Sequence, residues 1–278
     1  MYRSVIVGVD RSARSRAAAD WAAREALRRG LPLKVVHVSA LSPDELVDLW
    51  PYRDLPLPGP VVTELANRHP QLEVQGVRLT GSVVPSLLGL APSAELLVLG
   101  TRGAGGFAGL RLGATSLGAA EVCDRPVVLT PSGLMCGRAG ARPDKVTLGI
   151  DAREPADAAT DFAFDAAQRA NVRLHAVHAW ALPTPMAHWM PLAVPEKDRA
   201  RWEDQEEQLL ADALRPWQEK YPRVRVLRDV VLHTPAEALV RASASAELIV
   251  AGRRGTRLGH AAHALVHHTR CPVAVVPG

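Results

Sequence analysis

The strongest constraint on the fold is an internal repeat. Residues 5–38 match, without a gap, a segment that lies 141 positions further along the chain. Two more pairs of blocks follow in the same order: "SAELLVLGTRG" matches "SAELIVAGRRG", and "RPVVLTP" matches "CPVAVVP". Two copies of one unit predict two similar domains, which we place at residues 1–136 and 142–278, joined by a Gly-, Arg- and Pro-rich linker.

Each copy alternates short apolar runs with helix-forming stretches. The run "SVIVGV" is rich in β-branched residues and predicts a buried strand. The next stretch, "SRAAADWAAREALRRG", repeats its apolar residues at helical spacing and stops at a glycine. The alternation continues to a fifth strand. It predicts an α/β protein with two Rossmann-like domains, each a five-stranded parallel sheet with helices on both faces.

Charge and cysteine content exclude several classes of protein. The net charge is +4, but no run of five like charges occurs, so we expect no nucleic-acid partner. The three cysteines form no CxxC pair, which argues against a disulfide scaffold or a zinc knuckle. The first residues do not resemble a signal peptide, and no stretch of 18 apolar residues occurs. These features predict a cytoplasmic protein without a membrane partner.

A glycine-rich segment, Leu99 to Ser116, follows the fourth strand of the first copy. Glycines allow backbone N–H groups to approach an anion, and a helix that begins near Ala114 directs its N-terminus to the same place. Parallel sheets bind ligands beyond the carboxyl ends of their strands, where Gly8–Asp10 and Val38 also lie. We therefore expect one phosphate-bearing ligand to contact all these segments. Asp10 has a second interpretation, as a cap of the following helix.

Several familiar sites are absent from the sequence. No GK[ST] follows the glycines, so the loop is not a Walker A motif. "GAGGFA" fits a loose dinucleotide pattern, but it follows the fourth strand and has no carboxylate about 20 residues on. No set of nucleophile, base and orienting group is visible. We expect no efficient enzyme; weak ATP hydrolysis stays open, without a catalytic base to assign.

The histidines favour structural roles. His37 and His178 lie in predicted strands and are expected to be packed. His260, His263 and His267 share one face of a predicted helix, which would suit zinc or nickel. Because no cysteine or carboxylate completes this set, the pattern favours a solvated or interface face, and we predict no metal site.

The combined motifs resemble the universal stress protein family in its tandem two-domain form. "VGVDRSARS", "VVHV", "LVLGTRGAGGFAGLRLGATS" and "RPVVLTP" carry the resemblance, together with their second-copy counterparts. The family's nucleotide signature is G-x2-G-x9-G followed by Ser or Thr. Gly100, Gly103 and Gly113 have this spacing, but Ala114 occupies the hydroxyl position. The resemblance covers nearly the whole chain and implies an adenine nucleotide alpha hydrolase-like fold.

The resemblance also implies a ligand and its contacts. ATP-binding members of the family, with or without Mg2+, hold adenine near the ends of the first two strands and hold ribose and phosphates along the glycine loop. The adenine positions correspond here to Gly8, Val9, Asp10 and Val38. The ribose and phosphate positions correspond to Leu99, Gly100, Arg102, Gly103, Gly113, Ala114, Thr115 and Ser116. Because Ala114 removes one hydroxyl contact, we expect weakened rather than abolished phosphate binding.

The second copy departs further from the signature. Three residues separate Gly255 from Gly259, where the first copy has nine between the corresponding glycines. His260 stands at the Ser/Thr position of the signature, and Ala262 stands opposite Ser116. We expect this copy to bind at most an adenosine- or AMP-like ligand, and not a triphosphate.

The family's arrangement also implies how the copies associate. The last strands, "RPVVLTP" and "CPVAVVP", are expected to pair antiparallel as an intrachain pseudo-dimer, which would cover exposed sheet edges. A homodimer is left open. We expect a stress-response protein whose bound nucleotide regulates an unidentified protein partner. The alternatives are an interaction module without nucleotide and a slow ATP hydrolase.

Overall fold

The computed structural model describes residues 3–39, 57–101, 112–131, 144–182 and 196–278. The chain divides into two compact units. The first unit is Met1–Met135 with Pro272–Pro277, and the second is Cys136–Cys271 with Gly278. Within the described ranges, no helix has the length and apolar character needed to cross a membrane.

The first unit alternates strands and helices, as the sequence predicts. Its elements are β1 (Ser4–Gly8), α1 (Ala13–Arg29), β2 (Leu33–Ser39), α2 (Gly59–Arg68), β3 (Val74–Thr80), α3 (Val83–Leu88), a 3-10 turn (Ala91–Ser93), β4 (Ala94–Gly100), α4 (Ala114–Val122) and β5 (Val127–Thr130). The five strands are parallel in the order β3-β2-β1-β4-β5. Strand order therefore reverses between β1 and β4, which is where such sheets bind ligands.

The second unit repeats this order. Its elements are β6 (Lys145–Gly149), α5 (Asp157–Ala170), β7 (Arg173–Trp180), α6 (Glu196–Lys220), β8 (Val226–Leu232), α7 (Pro235–Ala242), a 3-10 turn (Ser243–Ser245), β9 (Leu248–Arg253) and α8 (His260–His268). The parallel order β9-β6-β7-β8 corresponds to β4-β1-β2-β3 of the first unit. The predicted α/β fold in two similar copies is confirmed.

The last strand, β10 (Val273–Pro277), belongs to the first compact unit. It pairs antiparallel with β5, and Ala274 lies opposite Val128. The predicted antiparallel pairing of "RPVVLTP" with "CPVAVVP" is thus confirmed. The fifth strand of the second copy adds an antiparallel member to the first unit's sheet, and β5 is thereby covered instead of forming an exposed edge.

The first helix of each copy ends in the same backbone conformation with a different residue. After α1, Gly30 has φ 63°, and after α5, Asn171 has φ 53°. Glycine and asparagine are the residues that most readily adopt this left-handed conformation and satisfy the last carbonyls of a helix. The repeat therefore preserves the helix stop although the residue changes.

In each copy, a glycine on the fourth strand allows a close approach between that strand and the start of the first helix. A Cβ atom added to Gly100 would lie 3.1 Å from the backbone carbonyl of Arg14. At the matching position of the second unit, a Cβ on Gly252 would lie 2.7 Å from the Cβ of Ala156. Packing therefore excludes an unshifted side chain at Gly252 and leaves little room for one at Gly100, whether or not a ligand binds.

The long helix α6 is attached to its sheet by a buried carboxylate. Leu210 and Leu214 supply the apolar contact and are fully buried. One turn before them, the carboxylate of Glu206 accepts two hydrogen bonds from the guanidinium of Arg153 and one from Nε2 of His178, at 3.1 Å. Burial alone would raise the pKa of Glu206, but the hydrogen bonds from Arg153 and His178 outweigh burial and hold the pKa below its usual value.

The close approach at Gly252 predicts a loss of stability on substitution. We expect Gly252→Ala to lower the free energy of unfolding by about 1–3 kcal/mol, because the new methyl group must push α5 away from β9. Gly59→Ala is the control, since nothing lies within 4 Å of a Cβ added there. Urea unfolding followed by circular dichroism measures both. Equal stabilities of the two variants would contradict the packing explanation.

The lowered pKa of Glu206 predicts a pH-dependent contribution to stability. Its carboxylate stabilises the folded state above the ordinary carboxyl pKa, and this contribution is lost as pH falls through the lowered pKa. Glu206→Gln should therefore cost about 1–3 kcal/mol at pH 7 and much less at pH 3. The neighbouring Glu207 is exposed, so Glu207→Gln serves as the control. A cost for Glu206→Gln that does not change with pH would contradict the assignment.

Candidate functional site

The first unit contains a cavity of about 170 Å3 at the carboxyl ends of β1, β2 and β4. Its walls come from strand ends and from the first turn of α4, which the topology brings together where strand order reverses. Nine of the twelve residues that sequence predicts for the site line this cavity. These residues are Gly8, Val9, Asp10, Val38, Leu99, Gly100, Gly113, Thr115 and Ser116.

Of the three remaining predicted residues, only Ala114 is described, and it does not line the cavity. Ala114 is the first residue of α4 and is exposed. Arg102 and Gly103 lie outside the described residues, as does most of the glycine loop.

Asp10 organises the turn that leads from β1 into α1. Its Oδ1 atom accepts hydrogen bonds from the backbone N–H of Ser12 at 2.9 Å and from the Ser12 hydroxyl at 2.5 Å. The helix cap is Ser12, whose hydroxyl accepts from the N–H of Ser15 at 3.1 Å. The interpretation of Asp10 as the cap is therefore wrong in detail, because Asp10 supports the capping residue while it lines the cavity.

The hydroxyl groups at the cavity have different roles. Ser116 is buried, and its hydroxyl donates to the carbonyl of Gly100 at 2.7 Å. Its proton is thus used to fix the end of β4, and its oxygen keeps the capacity to accept. Thr115 is half-buried and lines the cavity. Gly113 precedes α4 and provides no side-chain cap, so the first N–H groups of the helix have no partner from that residue.

Five residues that line the cavity were missed by the sequence analysis. They are Ser15, Val36, His37, Val83 and Leu87. Nδ1 of His37 lies 2.9 Å from the carbonyl of Val9, and because a carbonyl only accepts, this nitrogen carries the proton. The repeat places His37 opposite His178, and this correspondence was the sequence signal that could have pointed to His37. Val83 and Leu87 lie one helical turn apart on α3, where an apolar pair is indistinguishable from ordinary core.

The second unit has a larger cavity, of about 720 Å3, at the corresponding strand ends. Its lining repeats the first: the end of β6 at Gly149–Asp151, the end of β7 at His178–Trp180, Gly252 on β9, and the start of α8. The turn after β6 also resembles its counterpart, since Oδ1 of Asp151 accepts from the backbone N–H two residues on, at 3.1 Å. The two cavities thus share their place at the strand ends and the aspartate turn, while their volumes differ.

Arginines surround this second cavity, and two of the three have carboxylate partners. Arg153 pairs with Glu206, and a hydrogen bond to that carboxylate raises the pKa of the guanidinium. Arg254 pairs with Glu154. Arg257 also lines the cavity and is exposed. Two of the three positive charges are therefore balanced locally.

Comparison with known proteins gives a consistent result across the chain. The model of the universal stress protein family matches residues 1–131 and 143–277. The universal stress protein Rv2005c of Mycobacterium tuberculosis is 34% identical, over 98% of this chain and 96% of that protein. Among solved structures, a universal stress protein from Archaeoglobus fulgidus covers 99% of this chain and 98% of its own, with a TM-score of 0.60 and 16% identity.

A crystal structure of a universal stress protein in complex with cAMP is also similar, with 22% identity over 48% of this chain and 99% of that chain, and a TM-score of 0.38. The family match extends through both halves, and so does the similarity to the mycobacterial protein. The chain belongs to the universal stress protein family and carries two copies of the family's domain.

Proposed function

We propose that the first half, residues 1–136, is a domain that binds an adenine nucleotide, and that ATP, with or without Mg2+, is its ligand. The observation that carries the proposal is the cavity in which nine of the predicted ligand contacts meet. Nucleotide occupancy would regulate the contact of a cytoplasmic stress-response protein with a protein partner. Residues 142–278 are a second domain, whose loop is unsuited to a triphosphate.

The chemistry of the first cavity suits the two ends of a nucleotide. Apolar side chains and backbone groups at the ends of β1 and β2 can receive a flat base. The start of α4, with Gly113 and Thr115, offers N–H groups and a hydroxyl to phosphate. A volume of about 170 Å3 accommodates only part of ATP, so the rest of the ligand would extend along the loop that follows β4.

A second candidate function concerns the second half. Its cavity of about 720 Å3 lies within the range of about 300–1,000 Å3 that is typical of small-molecule sites. Asp151 and Arg257 both line it and provide an acceptor and a positive charge. These features support an adenosine- or AMP-like ligand in this cavity. The residues that correspond to Thr115 and Ser116 in this half are alanines, which offer no hydroxyl to further phosphates.

Two other functions make different predictions. A protein-interaction module without nucleotide would leave the first cavity empty at saturating ATP. A slow ATP hydrolase would show turnover that one side-chain substitution abolishes without loss of binding. ATP binding without such turnover would distinguish the proposed regulator from both.

Ligand release and calorimetry test the proposal directly. We expect mass spectrometry of denatured, freshly purified protein to find an adenine nucleotide, at close to one per chain if ATP occupies the first half alone. Gly113→Val should weaken ATP binding about ten- to a hundredfold in calorimetry, because a side chain at the start of α4 blocks hydrogen bonds to a charged phosphate. The backbone of Gly113 has φ −86°, which valine tolerates, so backbone strain would not account for the effect.

The chain supplies its own matched control for this test. Gly259 occupies the position of Gly113 in the second half, has φ −64°, and has nothing within 4 Å of an added Cβ. Gly259→Val should leave ATP affinity unchanged and weaken any binding of AMP. Unchanged ATP affinity in Gly113→Val, or the absence of both released nucleotide and ATP heat in the unmodified protein, would overturn the proposal.

A further inference from the structure

The helix α8 carries a cluster of imidazoles that the proposed function does not use. His263 and His267 lie one turn apart, and their ring centroids are 4.6 Å apart with the planes tilted by 38°. The ring centroid of His268 lies 6.4 Å from that of His267. His263 is exposed and His267 is half-buried, so solvent reaches the pair.

This ring separation suits two ligands of one metal ion. With a metal–nitrogen bond of about 2.1 Å, the centre of a coordinated imidazole lies about 3.2 Å from the metal. Two such rings at right angles around the metal are then about 4.5 Å apart, and a tetrahedral angle makes this about 5.2 Å. The observed separation of 4.6 Å lies between these two values.

We propose that His263 and His267 form a two-imidazole site for a divalent transition-metal ion of the nickel, copper and zinc class. Imidazole nitrogen is a ligand that these ions share, and it is poorly suited to Mg2+ or Ca2+. No group of three or more His, Cys, Asp or Glu suited to a metal is found in the described part of the chain. With two protein ligands, water would complete the coordination.

The metal site would affect the second cavity through the helix that they share. The ion bridges adjacent turns of α8, and the cavity is lined by Gly259, which precedes this helix, and by the first three residues of the helix. Binding to the folded state alone raises stability in proportion to the logarithm of metal concentration above the dissociation constant. The site thus offers a link between metal availability and the order of one cavity wall.

Calorimetric titration of the tag-free full chain with NiCl2 tests the site. We expect the wild type to bind one Ni2+, and His263→Ala or His267→Ala to bind it at least about tenfold more weakly, since loss of even an outer-shell partner costs that much. His268→Ala is the matched control on the same helix and should bind as the wild type does. No binding by the wild type, equal binding by all variants, or an equal loss in His268→Ala would each overturn the proposal.

A spectroscopic measurement keeps the test independent of small changes in folding. Electron paramagnetic resonance of the protein with one equivalent of Cu2+ should show coupling to two imidazole nitrogens in the wild type and in His268→Ala. His267→Ala should show coupling to one or none. Two-nitrogen coupling that persists in His267→Ala would place the ion elsewhere and overturn the assignment.

Discussion

The parallel pairing of β1 with both β2 and β4 is the constraint on which the first cavity depends. Because β2 and β4 lie on opposite sides of β1, the connections after these strands diverge and leave a crevice at their carboxyl ends. Three parts of the site lie at these strand ends: Asp10 after β1, Val38 on β2 and Gly100 on β4. The second unit repeats this pairing around β6 and forms its cavity in the same place.

The turn after the first strand is the most constant part of both sites. Asp10 and Asp151 each accept the backbone N–H two residues on, and His37 and His178 each place Nδ1 near the carbonyl that precedes the aspartate. These contacts hold the backbone of the crevice in place without a ligand. His178 differs from His37 because its Nε2 is bonded to the buried Glu206 and its Nδ1 accepts a hydrogen bond from the backbone N–H of Ala152 at 3.3 Å.

The sequence predicted the topology well because the topology depends on patterns that a single chain displays. The repeat, the alternation of apolar runs with helical stretches, and the glycines at strand ends were sufficient for the fold and for nine cavity residues. The Glu206 network was not predictable, because one acidic residue in a charged helix gives no sign of facing inward. That Ser12 and not Asp10 caps α1 depends on a local choice between two polar side chains that lie two residues apart. The relative volumes of the cavities depend on side-chain packing, which no pattern encodes.

Comparison of the two halves separates the residues required by the fold from those left for a ligand. Gly100 and Gly252 both allow a helix to approach a strand end, so the second half must keep its glycine even without a triphosphate. The hydroxyl of Ser116 has a different status. It bonds to Gly100 in the first half, yet Ala262 stands at the matching position and the second strand end is still formed. While its proton is donated to Gly100, this hydroxyl is available to a ligand only as an acceptor, so a phosphate at the start of α4 would have to be bound by backbone N–H groups and by Thr115.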